Sequence, residues 1–257
     1  MDETARIALV TGAGSGIGAA VARRLSEDGV TVMCADIQAH AAELVASSIR
    51  ANGGQADALL LDVTDDSHLA GAFRHLSAGF GRLDILVNAA GIGYSIETAR
   101  LDLPAARRFL AVNLEGAIAL VLALRPLLAV STAGRILNIT SVQGSRGAKD
   151  SLAYGASKGG LENLTRGLAC DLADDNVLVN ALAPGFVDTP MARLADGSSE
   201  YDTEWFRDVY VKNARIPLRR PAAASEVAEA AIFFCSSANT YVTGQVLAVD
   251  GGMTATF

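Results

Sequence analysis

Short apolar segments alternate with segments of helical pattern along the chain, and this alternation restricts the possible folds more than any other feature. Strands that are apolar along their whole length are typical of parallel sheets covered by helices on both faces, and 51% of the 257 residues are hydrophobic. The pattern predicts an α/β fold, a doubly wound seven-stranded parallel sheet in a single domain over residues 1–257. The predicted strands are 7–11, 30–35, 58–61, 85–88, 135–139, 177–182 and 246–249.

A glycine-rich turn follows the first predicted strand and leads directly into a helix predicted over residues 17–27. Backbone N–H groups at such a helix start can hold a pyrophosphate, because glycines allow it to approach closely. The dinucleotide fingerprint Gly-x-Gly-x-x-Gly/Ala fits Gly14, Gly16 and Ala19. The spacing Gly12-x-x-x-Gly16-x-Gly18 fits equally well.

Tyr154 and Lys158 stand four residues apart in a segment of helical pattern, so their side chains share one face of the helix. A nearby cation favours the ionised form of a phenol, and we therefore expect the pKa of Tyr154 to lie below about 10. The pair alone also fits an ordinary solvated helix. Its meaning depends on the motifs around it.

Six motifs follow one another in a fixed order and resemble those of the short-chain dehydrogenase/reductase family, in its single-domain form with TGxxxGxG and YxxxK. The resemblance covers essentially the whole chain. It implies a Rossmann-like fold and an enzyme that interconverts a secondary alcohol and a ketone by hydride transfer. The motifs are Thr11-Gly-Ala-Gly-Ser-Gly-Ile-Gly18, Asn88-Ala-Ala-Gly91, Asn113, Ser141, Tyr154-Gly-Ala-Ser-Lys158 and Pro184-Gly185.

The predicted cofactor is NAD. Asp36 ends the second predicted strand, 18 positions after Gly18, close to the distance expected for the acidic residue that binds the adenosine ribose. A carboxylate there would repel a 2′-phosphate, and Ser15 and Ile37 stand where a cation could favour NADP. A helix cap is the other interpretation of Asp36. The resemblance places these residues at the cofactor: Gly12, Ser15, Gly16, Ile17, Gly18, Asp36, Asp62, Val63, Asn88, Ala89, Gly91, Tyr154, Lys158, Pro184, Gly185, Val187 and Thr189.

Some of these cofactor positions have a second interpretation. Asp62, with the Val63 backbone, either contacts the adenine or forms a turn. Asn88 is expected to tie neighbouring strands together. The Val187 backbone and the Thr189 hydroxyl are implied to anchor the nicotinamide carboxamide, although Thr189 also fits a helix cap.

The resemblance assigns the catalytic roles to Asn113, Ser141, Tyr154 and Lys158. Tyr154 would take the proton of the alcohol, and Ser141, 13 positions earlier, would hydrogen-bond the substrate oxygen. Lys158 would lower the Tyr154 pKa and hold the nicotinamide ribose, with the positive ring of NAD+ adding to that shift. Asn113 would organise a water beside Lys158 through its side chain or backbone, or else be an ordinary helix residue.

The substrate is less constrained by the sequence. Polar residues among the expected substrate contacts favour a polyol, a sugar-derived acid or a hydroxy acid. Arg146 either binds a carboxylate or is an exposed loop arginine, and residues 189–221 form either a substrate lid or a surface excursion. The alternatives are a 3-oxoacyl thioester reductase or hydroxyacyl dehydrogenase and, more distantly, a non-catalytic dinucleotide-binding regulator. The expected substrate contacts are Tyr94, Ser141, Gln143, Arg146, Tyr154 and Phe186.

Charge and composition limit the partners. A net charge of −7, a pI near 5.0 and 5% aromatic residues argue against a nucleic-acid partner, which needs clustered cations. The apolar segment 117–124 is bounded by charges and is predicted to be a buried helix rather than a membrane span, and residues 1–6 lack a signal-peptide pattern. These features predict a cytoplasmic protein with a small-molecule substrate.

The remaining expectations concern cysteines, histidines and assembly. Cys34, Cys170 and Cys235 are expected to be reduced and to lie in the core, and His40, His68 and His75 are expected on the surface without a metal. The resemblance implies a homotetramer that uses the helices around 105–128 and 151–172. It also implies that Phe257 can border the active site of a neighbouring subunit.

Overall fold

A parallel sheet forms the centre of the protein, in a computed structural model that describes residues 5–194 and 196–255. Its strands are β1 (Ile7–Thr11), β2 (Thr31–Asp36), β3 (Ala56–Leu60), β4 (Ile85–Asn88), β5 (Arg135–Ile139), β6 (Leu178–Pro184) and β9 (Val246–Val249). The order across the sheet is β3-β2-β1-β4-β5-β6-β9, and every neighbouring pair is parallel. All seven predicted strands are confirmed, with ends within two residues of the predicted ones. Two short strands, β7 (Val187–Asp188) and β8 (Ala222–Ala223), form a separate parallel ladder.

Helices cover both faces of the sheet. They are α1 (Gly16–Glu27), α2 (Ala39–Ala51), α3 (Asp66–Gly79), α4 (Leu103–Leu110), α5 (Gly116–Leu128), α6 (Leu152–Asp171), α7 (Glu204–Phe206) and α8 (Ala224–Cys235). One apolar cluster joins α1, α2 and α8 to the sheet, and a second joins α3, α5 and α6 to the other face. The doubly wound, Rossmann-like architecture is thus the predicted one.

The burial pattern explains why the strands are apolar throughout. All five residues of β1 are buried, because its two faces meet the two clusters. Burying a Val or Leu side chain is worth roughly 1.5–3 kcal/mol, so the central strands contribute strongly to folding. Side-chain caps fix some helix starts: Asp65 accepts hydrogen bonds from the Ser67 and His68 N–H groups at α3, and Asp102 accepts one from Ala105 at α4.

The helical stretch Leu103–Leu128 is long and apolar enough to cross a membrane by length and composition. In this fold it is a core helix, since Leu120 and Leu124 are buried against the sheet. Its opposite face is apolar and exposed, with Leu122 exposed by 70%. The predicted buried helix over 117–124 is thus confirmed as a core helix, and its burial is on one face.

Two expectations about individual side chains are corrected. Cys34 and Cys235 are buried, and burial raises the pKa of both thiols to about 12, but Cys170 is exposed near the end of α6. His40 and His75 are exposed, whereas His68 is half-buried because α3 folds back on the loop after β3. Its Nδ1 accepts a hydrogen bond of 3.1 Å from the Asp62 N–H.

Candidate active site

The glycine-rich turn between β1 and α1 places backbone N–H groups at the carboxyl edge of the sheet. Gly12 and Gly16 have φ angles of 63° and 53°, a left-handed conformation that glycine adopts without steric cost. A Cβ atom at Gly18 would lie 2.3 Å from the carbonyl oxygen of Gly12. Ser15 is exposed just before α1, and Ile17 is the second residue of that helix. The turn therefore opens into a helix N-terminus, which favours a bound anion.

This turn lies where the strand order reverses, between β1 and β4, which is the position at which doubly wound sheets bind their ligands. The loop after β4 faces the turn across this crevice. The Thr11 hydroxyl fixes the loop by accepting hydrogen bonds from the N–H groups of Ala89, at 3.1 Å, and Ala90, at 3.0 Å. A Cβ at Gly12 would lie 3.0 Å from the Ala89 carbonyl oxygen. The glycine turn and the loop after β4 therefore form the two walls of the crevice, and backbone atoms line both walls.

Asp36 connects the end of β2 to the glycine turn. Its Oδ2 accepts a 2.9 Å hydrogen bond from the Gly14 N–H, and its Oδ1 accepts one of the same length from the Gln38 N–H. The carboxylate thus stands at the edge of the crevice and also holds the turn in shape. Each carboxylate oxygen has a further lone pair, so two ribose hydroxyls could still be accommodated.

Three further predicted cofactor positions, Asp62, Val63 and Asn88, lie at or just after the ends of β3 and β4. Asp62 Oδ1 accepts hydrogen bonds from the Thr64 N–H and hydroxyl, at 2.9 and 2.7 Å, so the turn interpretation describes this oxygen. Asn88 Nδ2 donates a 2.8 Å hydrogen bond to Asn138 Oδ1, so it ties β4 to β5 as predicted. Val63 packs against Gly116, where a Cβ would lie 2.6 Å from Val63 Cγ2.

Asn113 lies in a π-helical turn, Ala111–Glu115, between α4 and α5. Its Oδ1 accepts a 2.8 Å hydrogen bond from the Ile92 N–H, and its Nδ2 donates to the Ile92 carbonyl and the Ser157 hydroxyl, both at 3.0 Å. These contacts use both donor hydrogens of the amide. The side chain therefore fixes the loop after β4 on α6, and π turns of this kind are frequent at functional sites.

Ser141 and Tyr154 meet at the carboxyl end of β5. Ser141 is buried two residues after β5 and caps the 3-10 turn Val142–Gly144, where its hydroxyl accepts a 3.2 Å hydrogen bond from the Gln143 N–H. Tyr154 lies in the first turn of α6, near enough to Ser141 for that side chain to lower the pKa of the phenol. The Thr140 hydroxyl, in contrast, donates to the Leu182 carbonyl at 2.9 Å and takes no part in this contact.

Lys158 lies one helical turn further along α6 and is buried. Its Nζ donates a 2.8 Å hydrogen bond to the Ile139 carbonyl and lies 5.8 Å from the centroid of the Tyr154 ring. A Cβ at Gly91 would lie 3.5 Å from this nitrogen and 3.2 Å from Asn113 Oδ1. The four predicted catalytic side chains are therefore gathered around the loop after β4.

The expected effect of Lys158 on Tyr154 needs correction. Burial raises the pKa of Tyr154, and the hydrogen bond from Ser141 only partly opposes this shift. Burial also lowers the pKa of Lys158 from 10.5 to about 8. The cost of removing each charged form from water thus outweighs the attraction between the two, and the protein alone does not favour the phenolate that was expected from their spacing.

Val187 and Thr189 follow β6 at the other side of the crevice. Val187 is buried in β7, and a Cβ at Gly16 would lie 3.3 Å from Thr189 Cγ2, so this segment faces the glycine turn. Pro184 ends β6, and the next residue, Gly185, allows close passage past Asp250, since a Cβ there would lie 2.9 Å from Asp250 Cβ.

The predicted substrate residues differ in whether they lie near Tyr154 and Ser141. The Phe109 ring contacts both Tyr94 and Tyr154. Its centroid lies 4.7 Å from that of Tyr94 and 6.3 Å from that of Tyr154. Gln143 follows Ser141 closely, and its buried Oε1 has no hydrogen-bond partner among residues 5–194 and 196–255. Arg146 is instead exposed and donates to the Thr254 carbonyl at 3.4 Å, which agrees with the loop interpretation.

Phe186 precedes the segment predicted to be a lid and packs against it. The described parts of this segment, 189–194 and 196–221, contain several short helical turns, including α7 and the π turn Arg207–Lys212. The Phe186 ring packs on three rings of this segment. The prediction about Phe257 lies outside the described residues.

Sequence reasoning missed three contributors to the site: Phe109, Gly93 and Thr11. Phe109 packs edge-on against Tyr154. A Cβ at Gly93 would lie 2.8 Å from Met191 Sδ and 3.2 Å from Tyr154 Cε2, so Gly93 and Met191 border the phenol. Thr11 belongs to the quoted glycine motif, and its position at the strand end could have indicated its role, but nothing in the sequence distinguishes Phe109 from a core residue.

Comparison with known proteins agrees with this geometry. A family profile described as enoyl-(acyl carrier protein) reductase matches residues 12–254. The chain is 40% identical over 252 residues to cis-4-hydroxycyclohexanecarboxylate dehydrogenase of Sinomonas cyclohexanicum, covering 97% of each protein. It is 36% identical over 249 residues to a 3-oxoacyl-[acyl-carrier-protein] reductase of Pseudomonas aeruginosa, covering 96% of this chain and 97% of that one.

Solved structures share the fold over nearly the whole chain. A gluconate 5-dehydrogenase of Burkholderia cenocepacia J2315, in complex with NADP and tartrate, superposes with a TM-score of 0.90 at 34% identity, covering 98% of this chain and 96% of that one. Fold, site and relatives together define an oxidoreductase with a Rossmann-like fold. More narrowly, the chain belongs to the short-chain dehydrogenase/reductase family.

Proposed function

We propose that this protein is an NAD-dependent dehydrogenase that interconverts a secondary alcohol and a ketone on a small hydroxy acid. The observation that carries the proposal is the meeting of Ser141, Tyr154 and Lys158 beside a crevice with glycine-lined walls. A proton acceptor, a hydrogen-bond donor and a buried cation lie together there. A non-catalytic regulator would not need all three.

The crevice fits a dinucleotide. Its walls are backbone at Gly12, Gly16 and the loop after β4, and side chains at these positions would fill the space or displace the opposite loop. The phosphates would meet the N-terminus of α1, the ribose would meet Asp36, and the carboxamide would meet Val187 and Thr189. Asp62, Val63, Asn88 and Ala89 would line the remainder.

The choice of NAD over NADP depends on Asp36. A carboxylate beside the ribose repels a 2′-phosphate, and Ile37, exposed by 61%, supplies no compensating charge next to it. The gluconate 5-dehydrogenase relative was solved with NADP, so this preference is a property that we assign to this chain from its own residues.

The catalytic roles follow from what each side chain contacts. Tyr154 takes the proton of the substrate hydroxyl, and Ser141 hydrogen-bonds the same oxygen as charge develops. When bound, NAD+ supplies the hydride acceptor and a positive ring charge. Because burial raises the Tyr154 pKa in the protein alone, we expect Tyr154 to become an effective base only in the complex.

Lys158 and Asn113 support Tyr154. Lys158 is held by the Ile139 carbonyl, close enough to the phenol to favour its ionised form once Lys158 is protonated. The Asn113 amide is occupied by Ile92 and Ser157, so of the two routes by which Asn113 could hold a water beside Lys158, we favour its backbone.

The hydroxy-acid class is supported by two kinds of observation. The unpartnered Gln143 Oε1 offers a hydrogen-bonding group beside Ser141, and two similar proteins are named for hydroxylated acids, cis-4-hydroxycyclohexanecarboxylate and gluconate. The second candidate is a 3-oxoacyl thioester reductase, favoured by the Pseudomonas aeruginosa relative. Arg146, which is exposed and donates to the Thr254 carbonyl, is not part of the support for either class.

A substrate panel tests the proposal. The protein would be incubated with NAD or NADP and with cis-4-hydroxycyclohexanecarboxylate, gluconate, neutral polyols and 3-hydroxyacyl thioesters, while the absorbance of reduced nicotinamide is followed. We expect NADH formation from a hydroxy acid. Turnover confined to thioesters would establish the second candidate, and no turnover with any alcohol would support a regulator.

We further propose a cytoplasmic homotetramer in which residues 189–221 act as the substrate lid. Exposed leucines on the predicted interface helices support the assembly: Leu103 by 68%, Leu122 by 70% and Leu152 by 63%. The lid assignment is supported by Met191, which belongs to this segment and lies with Gly93 at the edge of the Tyr154 ring.

A further inference from the structure

A cluster of aromatic rings attaches the lid to the segment that follows β6. The Phe186 ring lies 5.9 Å from Tyr201, 5.0 Å from Phe206 and 4.6 Å from Tyr210, measured between centroids, and Trp205 lies 5.5 Å from Tyr210. Edge-to-face pairs of this kind contribute about 0.5–1.5 kcal/mol beyond their buried area. The cluster therefore holds this part of the lid in a defined position relative to Phe186.

Tyr201 also makes a polar contact with a residue outside this aromatic cluster. Its hydroxyl donates a 3.0 Å hydrogen bond to the carbonyl of Val187, 14 residues earlier. Burial raises the pKa of Tyr201, so the hydroxyl keeps its proton and remains a donor at neutral pH. The charge of the half-buried Glu200 carboxylate nearby also raises the pKa of Tyr201.

The Val187 backbone is fixed on its other side by the small sheet. Val187 is in register with Ala222, whose N–H donates a 2.9 Å hydrogen bond to the Phe186 carbonyl. The N–H and carbonyl of one strand residue point to the same side. The Tyr201 hydroxyl therefore orients the peptide groups of the residue that, in the proposed function, anchors the nicotinamide carboxamide.

We propose that Tyr201 is a positioning residue that couples the lid to the nicotinamide-binding backbone of Val187. The inference rests on the proposed function. With the hydroxyl present, the carboxamide meets a backbone already held in one orientation. Without it, binding must also order that backbone, and affinity for the nicotinamide end falls.

The test compares Tyr201→Phe with Tyr210→Phe by calorimetric titration with two probes, NADH and ADP-ribose. The first variant removes only the hydroxyl that contacts Val187, and the second removes a hydroxyl from the same ring cluster while leaving that bond intact. We expect Tyr201→Phe to raise the Kd for NADH about three- to tenfold. ADP-ribose, which lacks nicotinamide, should bind unchanged, and Tyr210→Phe should bind both probes like the parent.

Three outcomes would overturn the inference. Equal NADH affinity in Tyr201→Phe and the parent shows that the hydroxyl has no such role. A parallel loss of ADP-ribose affinity shows a general structural effect instead. If the parent itself binds NADH no more tightly than ADP-ribose, the carboxamide anchor of the proposed function fails and the inference fails with it.

Discussion

Asp36 accepts hydrogen bonds from two backbone N–H groups, so this carboxylate shapes the turn, and in the proposed function it also selects the cofactor. We predict that Asp36→Ala lowers the preference for NAD over NADP at least tenfold, because the repulsion of the 2′-phosphate is lost. The ratio of kcat/KM for the two cofactors measures this. Asp57→Ala, an exposed charge on β3, is the matched control. An unchanged ratio in Asp36→Ala would refute the cofactor assignment.

Lys158 is buried at a cost to stability. Its pKa of 10.5 falls to about 8 in the folded protein, so the unfolded chain binds the extra proton between these values, and folding is disfavoured by about 3 kcal/mol below pH 8. This cost disappears as the pH rises towards 10.5. Removal of the amine also loses its bond to Ile139, worth about 1 kcal/mol.

We therefore predict that Lys158→Met, in the absence of cofactor, is more stable than the parent at pH 7 and no more stable at pH 10.5. Denaturant unfolding at the two pH values gives the difference in the free energy of unfolding. Turnover should be lost at the same time. The same stability difference at both pH values would show that the buried ammonium is not the cause.

The turn between β1 and α1 depends on glycine at position 18. A methyl group there would overlap the Gly12 carbonyl oxygen, at 2.3 Å, so Gly18→Ala must displace the turn. We predict at least a tenfold rise in the Kd for NADH, measured by titration. In Gly71→Ala, within α3, the nearest atom to the new methyl group is Arg74 Nη2 at 3.9 Å, so this control should keep its affinity for NADH and gain helix stability. Equal affinities in both variants would contradict the role of the turn.

Most elements could be predicted from the sequence because their determinants are local. Continuous apolar runs identified the strands, and the glycine spacing identified the first helix. The π turn at Ala111–Glu115 could not be predicted, because its bonding pattern depends on what Asn113 contacts in the loop after β4 and in α6. The same holds for the proposed lid, because its contact with Phe186 depends on how the segment after β6 and α7 are arranged in space.

The site could be predicted in its composition but not in its electrostatics. Spacing alone placed Tyr154 and Lys158 on one face, and the structure shows them there. The direction of their pKa shifts depends on burial, which a helical pattern does not show. Likewise, a helical pattern does not show that the Asn113 side chain binds Ile92 and Ser157.

At the scale of the whole molecule, the exposed apolar face of α4, α5 and α6 predicts self-association. Leu122→Glu places a charge at the centre of the proposed interface, where Leu122 is exposed by 70%. We expect this variant to elute as a smaller species than the parent in size-exclusion chromatography with light scattering. Leu44→Glu, on an exposed position of α2, should not change the mass. A monomeric parent would contradict the proposed tetramer.

The central claim is that the Tyr154 phenol, hydrogen-bonded by Ser141 and supported by Lys158, takes the proton from the alcohol. The most direct measurement is the rate of NADH formation by Tyr154→Phe, with NADH binding titrated on the same preparation. We predict that turnover falls at least 100-fold while the Kd for NADH stays within about a factor of two of the parent value. Turnover close to the parent rate with cofactor binding intact would contradict the account.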